Sequence, residues 1–226
     1  MDKKILGNRT RGSRWYKFRR YIAEKESELM KMMDAKVDLG FKVMGAELPV
    51  DHGFALYGAL SNVLPFFHEE DNLGLKFIRG RYVGNGMLDI SPRSELVLRV
   101  PAYRIGAFLD LAGKSLDVHG HRLFVGAPIT RCRVPAAVLH SPLVTTRNGH
   151  DRVCFEVELN RQMEQMGVRG KLSIGRRRTF TIHGKQVVGY EVLISELTAE
   201  ESISLLGLGL GGRRKMGCGF FEVRRG

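Results

Sequence analysis

The residues with the clearest capacity for chemistry lie near the end of the chain, where six glycines between positions 207 and 219 surround three adjacent cations. Glycine accumulates where φ must be positive or where a ligand approaches bare amides. Exposed amides beside clustered positive charge suit phosphate oxygens. We therefore predict a phosphate-binding loop made of Gly209, Gly211, Gly212, Arg213, Arg214, Lys215, Gly217 and Gly219. The alternative is a glycine-tolerant connection between a helix and a strand.

Two common nucleotide-binding loops do not fit this stretch. Residues 207–212 satisfy G-x-G-x-x-G, but that fingerprint must follow a strand and open a helix. Here a helix predicted at 198–206, with Thr198 as its N-cap, comes first, and an aromatic strand comes afterwards. A P-loop is excluded because no G-K-[ST] follows the glycines. The order of elements therefore indicates a different phosphate-bearing ligand.

The spacing of the glycines resembles the signature loop of CRISPR-associated repeat-processing endoribonucleases of the RAMP superfamily. Gly209-Leu210-Gly211 is followed by five residues and then by Gly217-Cys218-Gly219, after a short helix near the C-terminus. The resemblance implies tandem ferredoxin-like domains over roughly 37–226. It also implies binding of CRISPR repeat RNA and cleavage of pre-crRNA to mature guide RNA without a metal or other cofactor.

A second basic element suits the same ligand. Lys171, Arg176, Arg177 and Arg178 lie on a predicted hairpin arm, and adjacent like charges repel unless something negative relieves them. Arginine grips phosphate in a bidentate manner, and a thin basic hairpin suits the phosphates at the base of an RNA stem. We predict that these four side chains bind RNA, and a solvated strand face is the alternative.

RNA breaks without a metal when its own 2′-hydroxyl attacks the adjacent phosphate, which leaves a 2′,3′-cyclic phosphate and a 5′-hydroxyl. The protein must align the nucleotide and move a proton, a task suited to histidine. Among the seven histidines we predict His52 as catalytic, because it begins the first helix, where the resemblance places a catalytic histidine. The helix dipole there favours neutral imidazole, and Asp51 is placed to cap the helix.

The other candidate catalytic residues have weaker support from the sequence. Tyr57 lies five residues further along the helix and is predicted to pack, His68 lies in an acidic loop, and Lys42 or Lys76 could face the phosphate. The other histidines are assigned to turns or strands. The sequence has no H-E-x-x-H motif, no cysteine–histidine cluster and no G-x-S-x-G elbow, so neither metal nor serine hydrolysis has support.

Composition agrees with a polyanionic partner. The net charge of +12 and the pI near 9.9 suit RNA, DNA or an acidic membrane surface. Three scattered cysteines favour a reducing compartment, and no apolar run is long enough to cross a membrane. We expect a cytoplasmic protein.

Periodicity predicts an α+β fold of two ferredoxin-like (RRM-like) domains. Strand, helix, two strands, helix, strand is the order in 37–130, and it recurs in 137–226. Residues 1–36 form a basic, aromatic arm or helix that could contact RNA.

The main hypothesis is thus a metal-independent CRISPR repeat endoribonuclease. A non-catalytic crRNA-binding subunit of a CRISPR effector complex, associated with its other subunits, is the second. A general RNA-binding protein is less favoured because no RNP-type aromatic motif occurs.

Overall fold

The computed structural model describes residues 19–22, 25 and 35–224. The chain divides into two compact units, 1–35 and 36–226. In the first unit, residues 19–22 and 25 are helical, and the rest of the predicted basic arm lies outside the described residues except for 35 and 36. Lys36 begins the first strand and is not part of an arm. The second unit contains all the strands named below.

The first half of this unit is built on a five-stranded antiparallel sheet. Its strands are β1 (Lys36–Met44), β3 (Gly74–Lys76), β6 (Glu95–Pro101), β7 (Ser115–Val118) and β8 (His121–Arg131), and its helices are α1 (Gly53–Val63), α2 (Phe66–Glu69) and α3 (Ile105–Phe108). The order β3-β6-β1-β8-β7 is that of a ferredoxin-like sheet with one additional edge strand. Alternate residues of β1, such as Leu39, Phe41 and Val43, are buried, as the period of two predicts.

Two details of this half differ from expectation. Between the first helix and β6 the chain forms more than one strand: β3 pairs with β6, whereas β4 (Arg81–Gly84) and β5 (Met87–Asp89) form a hairpin that β2 (Glu47–Pro49) joins as a separate sheet. The second helix of the predicted order is a 3₁₀ turn, the four residues of α3 and a second 3₁₀ turn. Apolar periodicity locates such segments but does not specify strand partners or helix type.

The second half repeats the order around a four-stranded sheet. Its elements are β9 (Leu139–Val144), α4 (Arg152–Gln165), β10 (Lys171–Ile182), β11 (Lys185–Ser195), α5 (Ala199–Leu208) and β12 (Glu222–Val223), in the sheet order β10-β11-β9-β12. Thr198 caps α5 through a complete capping box with Glu201, as its position predicted. Each half has its own hydrophobic core, which confirms the prediction of tandem ferredoxin-like domains. The exact domain limits, 37–130 and 137–226, stay a prediction.

Arg99 joins the two domains at the centre of the molecule. Its guanidinium, 4% exposed, pairs with Asp38 and donates to Leu206 O at 2.6 Å and Phe221 O at 3.0 Å. It also lies 3.9 Å from the ring centroid of Phe220. A buried cation with every contact satisfied fixes geometry more than it adds stability. Arg99 therefore fixes how the two domains meet.

Candidate functional site

His52 lies at the N-cap position of α1, between β2 and the helix, and its ring is 1% exposed. Nδ1 donates to Pro49 O at 2.7 Å, because a carbonyl can only accept. Nε2 is therefore the acceptor for the Ile78 amide at 3.0 Å. The edge of the neighbouring Phe77 ring closes the pocket, with centroids 5.6 Å apart. Both ring nitrogens are thus occupied by the protein itself.

Burial lowers the pKa of His52, against smaller opposing effects of the Pro49 and Val50 carbonyls and the Asp51 carboxylate. The expected neutral imidazole is present, although burial is the main cause. The sequence suggested that Asp51 caps α1, but no side chain caps this helix. One oxygen of Asp51 instead accepts a hydrogen bond from the Thr181 amide of β10 at 2.8 Å. As arranged, His52 can take a proton only by giving up its bond to Ile78. Its catalytic role stays a prediction.

The amides of the glycine-rich loop are also engaged. Gly211 donates to Gln162 Oε1 at 2.8 Å, Gly212 to Thr145 O at 2.8 Å and Gly219 to Leu143 O at 2.7 Å. The amides of Gly209 and Gly217 bond to carbonyls within the same segment. The expectation of bare amides facing a phosphate is therefore wrong for these five glycines.

Close packing explains most of the glycines better than a ligand does. Gly209, Gly211, Gly217 and Gly219 have φ between +65° and +94°. A Cβ at Gly211 would overlap Thr145 O, one at Gly219 would overlap Leu210 O, and one at Gly217 would lie 2.7 Å from the Phe77 ring. Because Phe77 also contacts His52, the loop packs directly over the start of α1. Gly212 is the exception among the five, because a Cβ there would meet open space and its φ is not positive.

The three cations of the loop have different roles. Arg214 donates to Leu208 O within its own segment, and Lys215 donates to His68 O at 2.7 Å and lies 3.7 Å from Asp71. Arg213 is exposed, and its side chain has no hydrogen bond or ion pair within the described part of the chain. Arg213 is the most accessible of the three to an anion, whereas Lys215 links the loop to the first domain and keeps further N–H donors.

Sequence reasoning missed a pair of residues next to Lys215. Tyr57, half-buried on α1, shares a hydrogen bond between its hydroxyl and Nδ1 of the exposed His68 on α2. Phe54 extends the aromatic row toward His183 of the β10–β11 turn, with centroids 4.5 Å apart. Tyr57 packs on the core, as expected, but it also reaches the histidine eleven residues further along. The available signal was Pro65, which ends α1 and turns the chain back along it.

The arginine hairpin distributes its side chains among separate places. Arg178 lines a cavity of about 790 Å³ between the domains, together with His52 and Gly217. Arg176 lines a second cavity on the open face of the second sheet. Arg177 pairs with buried Tyr190 and so lies on the helix-covered face, and Lys171 is exposed at the start of β10. The four residues predicted to bind RNA do not form a single cluster.

The described residues, 19–22, 25 and 35–224, contain neither a cluster of metal ligands nor a membrane-spanning helix. No group of three or more histidine, cysteine or acidic side chains among them could hold a metal ion. None of their helices has the length and apolar character needed to cross a membrane.

The chain matches one protein family over most of its length. Residues 37–225 match the family described as Cas6 Crispr. The CRISPR-associated endonuclease Cas6 of Myxococcus xanthus (strain DK1622) is 38% identical over 185 residues, which are 82% of this chain and 80% of that protein.

Solved structures agree at the level of the fold. One described as CRISPR associated protein Cas6 aligns with 84% of this chain and 100% of its own, with a TM-score of 0.62 at 12% identity. A Cas6-related protein from Pyrococcus furiosus aligns with 83% of this chain and 98% of its own, with a TM-score of 0.60 at 13% identity. The family match extends over both domains, and the chain belongs to the Cas6 family.

Proposed function

We propose that the protein is a metal-independent endoribonuclease that binds CRISPR repeat RNA and cleaves pre-crRNA to mature guide RNA. Family membership and the identity to an endonuclease support the general activity. The observation that carries the mechanism is the exposed Tyr57–His68 pair, held beside the cationic end of the glycine-rich loop by Lys215.

The reaction needs one proton removed and one supplied. The 2′-oxygen forms a bond to phosphorus as its proton leaves, the bond from phosphorus to the 5′-oxygen breaks, and that oxygen takes up a proton. The products are a 2′,3′-cyclic phosphate and a 5′-hydroxyl, and no water or redox partner is consumed.

His68 is placed for one of these transfers. Its Nδ1 is engaged with the Tyr57 hydroxyl, which fixes the ring and leaves Nε2 without a hydrogen bond from the described residues. When Nδ1 donates to the Tyr57 oxygen, Nε2 of the neutral ring is a base for the 2′-hydroxyl proton, and the imidazolium that results can supply its Nε2 proton to the 5′-oxygen. Lys215, bonded to the carbonyl of the same histidine, would stabilise charge developing on the phosphate.

His52 remains the alternative proton carrier, as the sequence predicts. Its burial and its two backbone hydrogen bonds favour a structural role. If His68 also proves inactive, the burial of His52 favours the second candidate function, a crRNA-binding subunit without turnover.

The decisive experiment follows the product chemistry. Purified protein is incubated with a repeat RNA from the same genome in excess EDTA, beside the same RNA with a 2′-deoxy nucleotide at the cut site. We expect one cut, a cyclic phosphate on the upstream product and no cleavage of the deoxy substrate. Cleavage that EDTA abolishes, or products with a 3′-hydroxyl, would contradict the proposed mechanism. Tight binding without any cut would favour the subunit.

A further inference from the structure

A cavity of about 530 Å³ on the open face of the second sheet contains a group of side chains that the proposed reaction does not use. Its lining includes His140, Glu191, Arg79, Arg176 and Arg224. It lies at strands β9, β10, β11 and β12 rather than at α1. The side chains come from separate strands, so the sheet itself sets their spacing.

Glu191 organises this cavity. Gly175 and Arg176 stand opposite the single residue Glu191, between the pairs Ile174–Val192 and Arg177–Tyr190, which defines a β-bulge. A Cβ on Gly175 would lie 3.2–3.3 Å from three side-chain atoms of Glu191. The carboxylate therefore lies over the bulge that turns Arg176 into the cavity.

The same carboxylate holds His140. Its Oε1 is 2.8 Å from Nε2 of the imidazole. The pKa of Glu191 is lowered, first by this hydrogen bond and then by the charges of His140 and Arg178 and the Arg176 amide. Because the ionised carboxylate can only accept, the proton of neutral His140 is on Nε2. Nδ1, which no described residue bonds, accepts when the ring is neutral and donates when it is charged.

The charges around the cavity favour an anion. Glu191 is paired with His140, and Glu222 is paired with Lys76 and Arg79. Arg176 and Arg224 are exposed, and neither side chain has an ion pair with a described residue. The two acids are thus compensated while two guanidinium groups remain available.

We propose that this cavity binds one phosphodiester of single-stranded RNA, with Arg176 and His140 as the donors and Glu191 as the residue that positions both. The cavity volume of about 530 Å³ is large enough for one nucleotide. Arginine forks suit phosphate oxygens, and a charged imidazole adds a second strong donor. The proposal rests on the proposed function only in that the ligand is RNA.

Binding is measured separately from cleavage, with a repeat RNA whose cut-site 2′-hydroxyl is replaced by hydrogen. Arg176→Ala should weaken binding about tenfold and reduce the salt slope by roughly 0.7, the value for one phosphate of a single strand. Arg93→Ala is the matched control, because Arg93 carries the same charge, is exposed and lies outside this cavity. A trimmed RNA that keeps only the stem and cut site should bind wild type and Arg176→Ala alike.

His140→Gln tests the second donor, because glutamine can still donate to Glu191 but cannot titrate. Wild-type affinity should exceed that of the variant, because a charged imidazole donates from Nδ1 and glutamine offers no donor at that position. Thermal unfolding confirms that each variant folds.

The results separate this proposal from the proposed function. Equal losses for Arg176→Ala and Arg93→Ala would mean diffuse electrostatics and would overturn the site, as would wild-type affinity in both Arg176→Ala and His140→Gln. Wild-type affinity in His140→Gln alone would remove His140 from the site. Failure of wild type to cut native RNA would sink the endoribonuclease proposal and leave the phosphodiester site intact.

Discussion

Two histidines meet helix α1 under opposite conditions, and the contrast shows what a histidine needs in order to transfer protons. His52 at the start of the helix is buried and gives both nitrogens to the backbone. His68, which contacts the helix through Tyr57, is exposed and has one nitrogen engaged. The first arrangement fixes a loop, whereas the second leaves a site for exchange with substrate. Position at a helix start identified His52, but the hydrogen-bond partners distinguish the two roles.

The largest expected effect separates the two histidines directly. His68→Ala should reduce single-turnover cleavage by roughly 10²–10⁴-fold with little change in RNA affinity, since a general acid or base contributes about that much. His52→Asn should leave the rate of the chemical step within a few-fold of wild type once the protein is folded. The measurement is cleavage at saturating protein, with affinity determined on the 2′-deoxy RNA. A large loss in His52→Asn with wild-type activity in His68→Ala would reverse the assignment.

The glycine-rich loop provides the next effect, on folding. Gly211→Val forces a β-branched residue to φ +73° and into overlap with Thr145 O, so we expect at least about 3 kcal/mol loss in the free energy of unfolding. Gly212→Ala, which adds a Cβ in open space, should change stability by no more than about 0.5 kcal/mol. Urea unfolding of both variants makes the comparison. A stable Gly211→Val protein with a specific RNA defect would restore the interpretation of the loop as a phosphate cradle.

A smaller effect tests the structural role of His52. His52→Asn keeps a donor toward Pro49 O but leaves the buried Ile78 amide without its acceptor, at a cost of about 1–3 kcal/mol. The folded pKa is lowered from 6.5, so below that pH the unfolded chain binds more protons than the folded one. Wild-type stability should therefore fall as the pH drops below about 6.5, and this part of the slope should be absent in the variant. An identical pH profile in both proteins would show that His52 is not buried in the neutral form.

The fold was predictable from local signals because alternation, caps and breakers are properties of short stretches. Thr198 is an example, because it caps α5 where the sequence indicated. The loop was located correctly from its glycines, but whether an amide faces a ligand or a neighbouring carbonyl depends on packing. Thr145 O, which Gly212 meets, is 67 residues away in the chain.

The Tyr57–His68 pair could not be predicted for a similar reason. The two residues belong to different helices, and their contact depends on how the chain turns at Pro65. The three adjacent arginines were predicted to form one cluster because they are neighbours in the sequence. The bulge and the alternation of faces along the strand instead direct Arg176, Arg177 and Arg178 to different surfaces. One residue of displacement in a strand changes which face a side chain occupies.

The smallest expected effect concerns the cations of the loop. It distinguishes a side chain that only binds RNA from one that also contacts the first domain. Arg213→Ala removes an exposed side chain without a partner among the described residues, so we expect unchanged thermal stability, a few-fold weaker RNA binding and a salt slope lower by roughly 0.7 to 0.9. Lys215→Ala also removes the bond to His68 O, so it should reduce both RNA affinity and cleavage. Affinity titrations over a range of salt concentrations compare the two variants. An unchanged slope in Arg213→Ala would mean that no phosphate lies against the tip of the loop, and the interface would then be restricted to the side of the loop that faces His68.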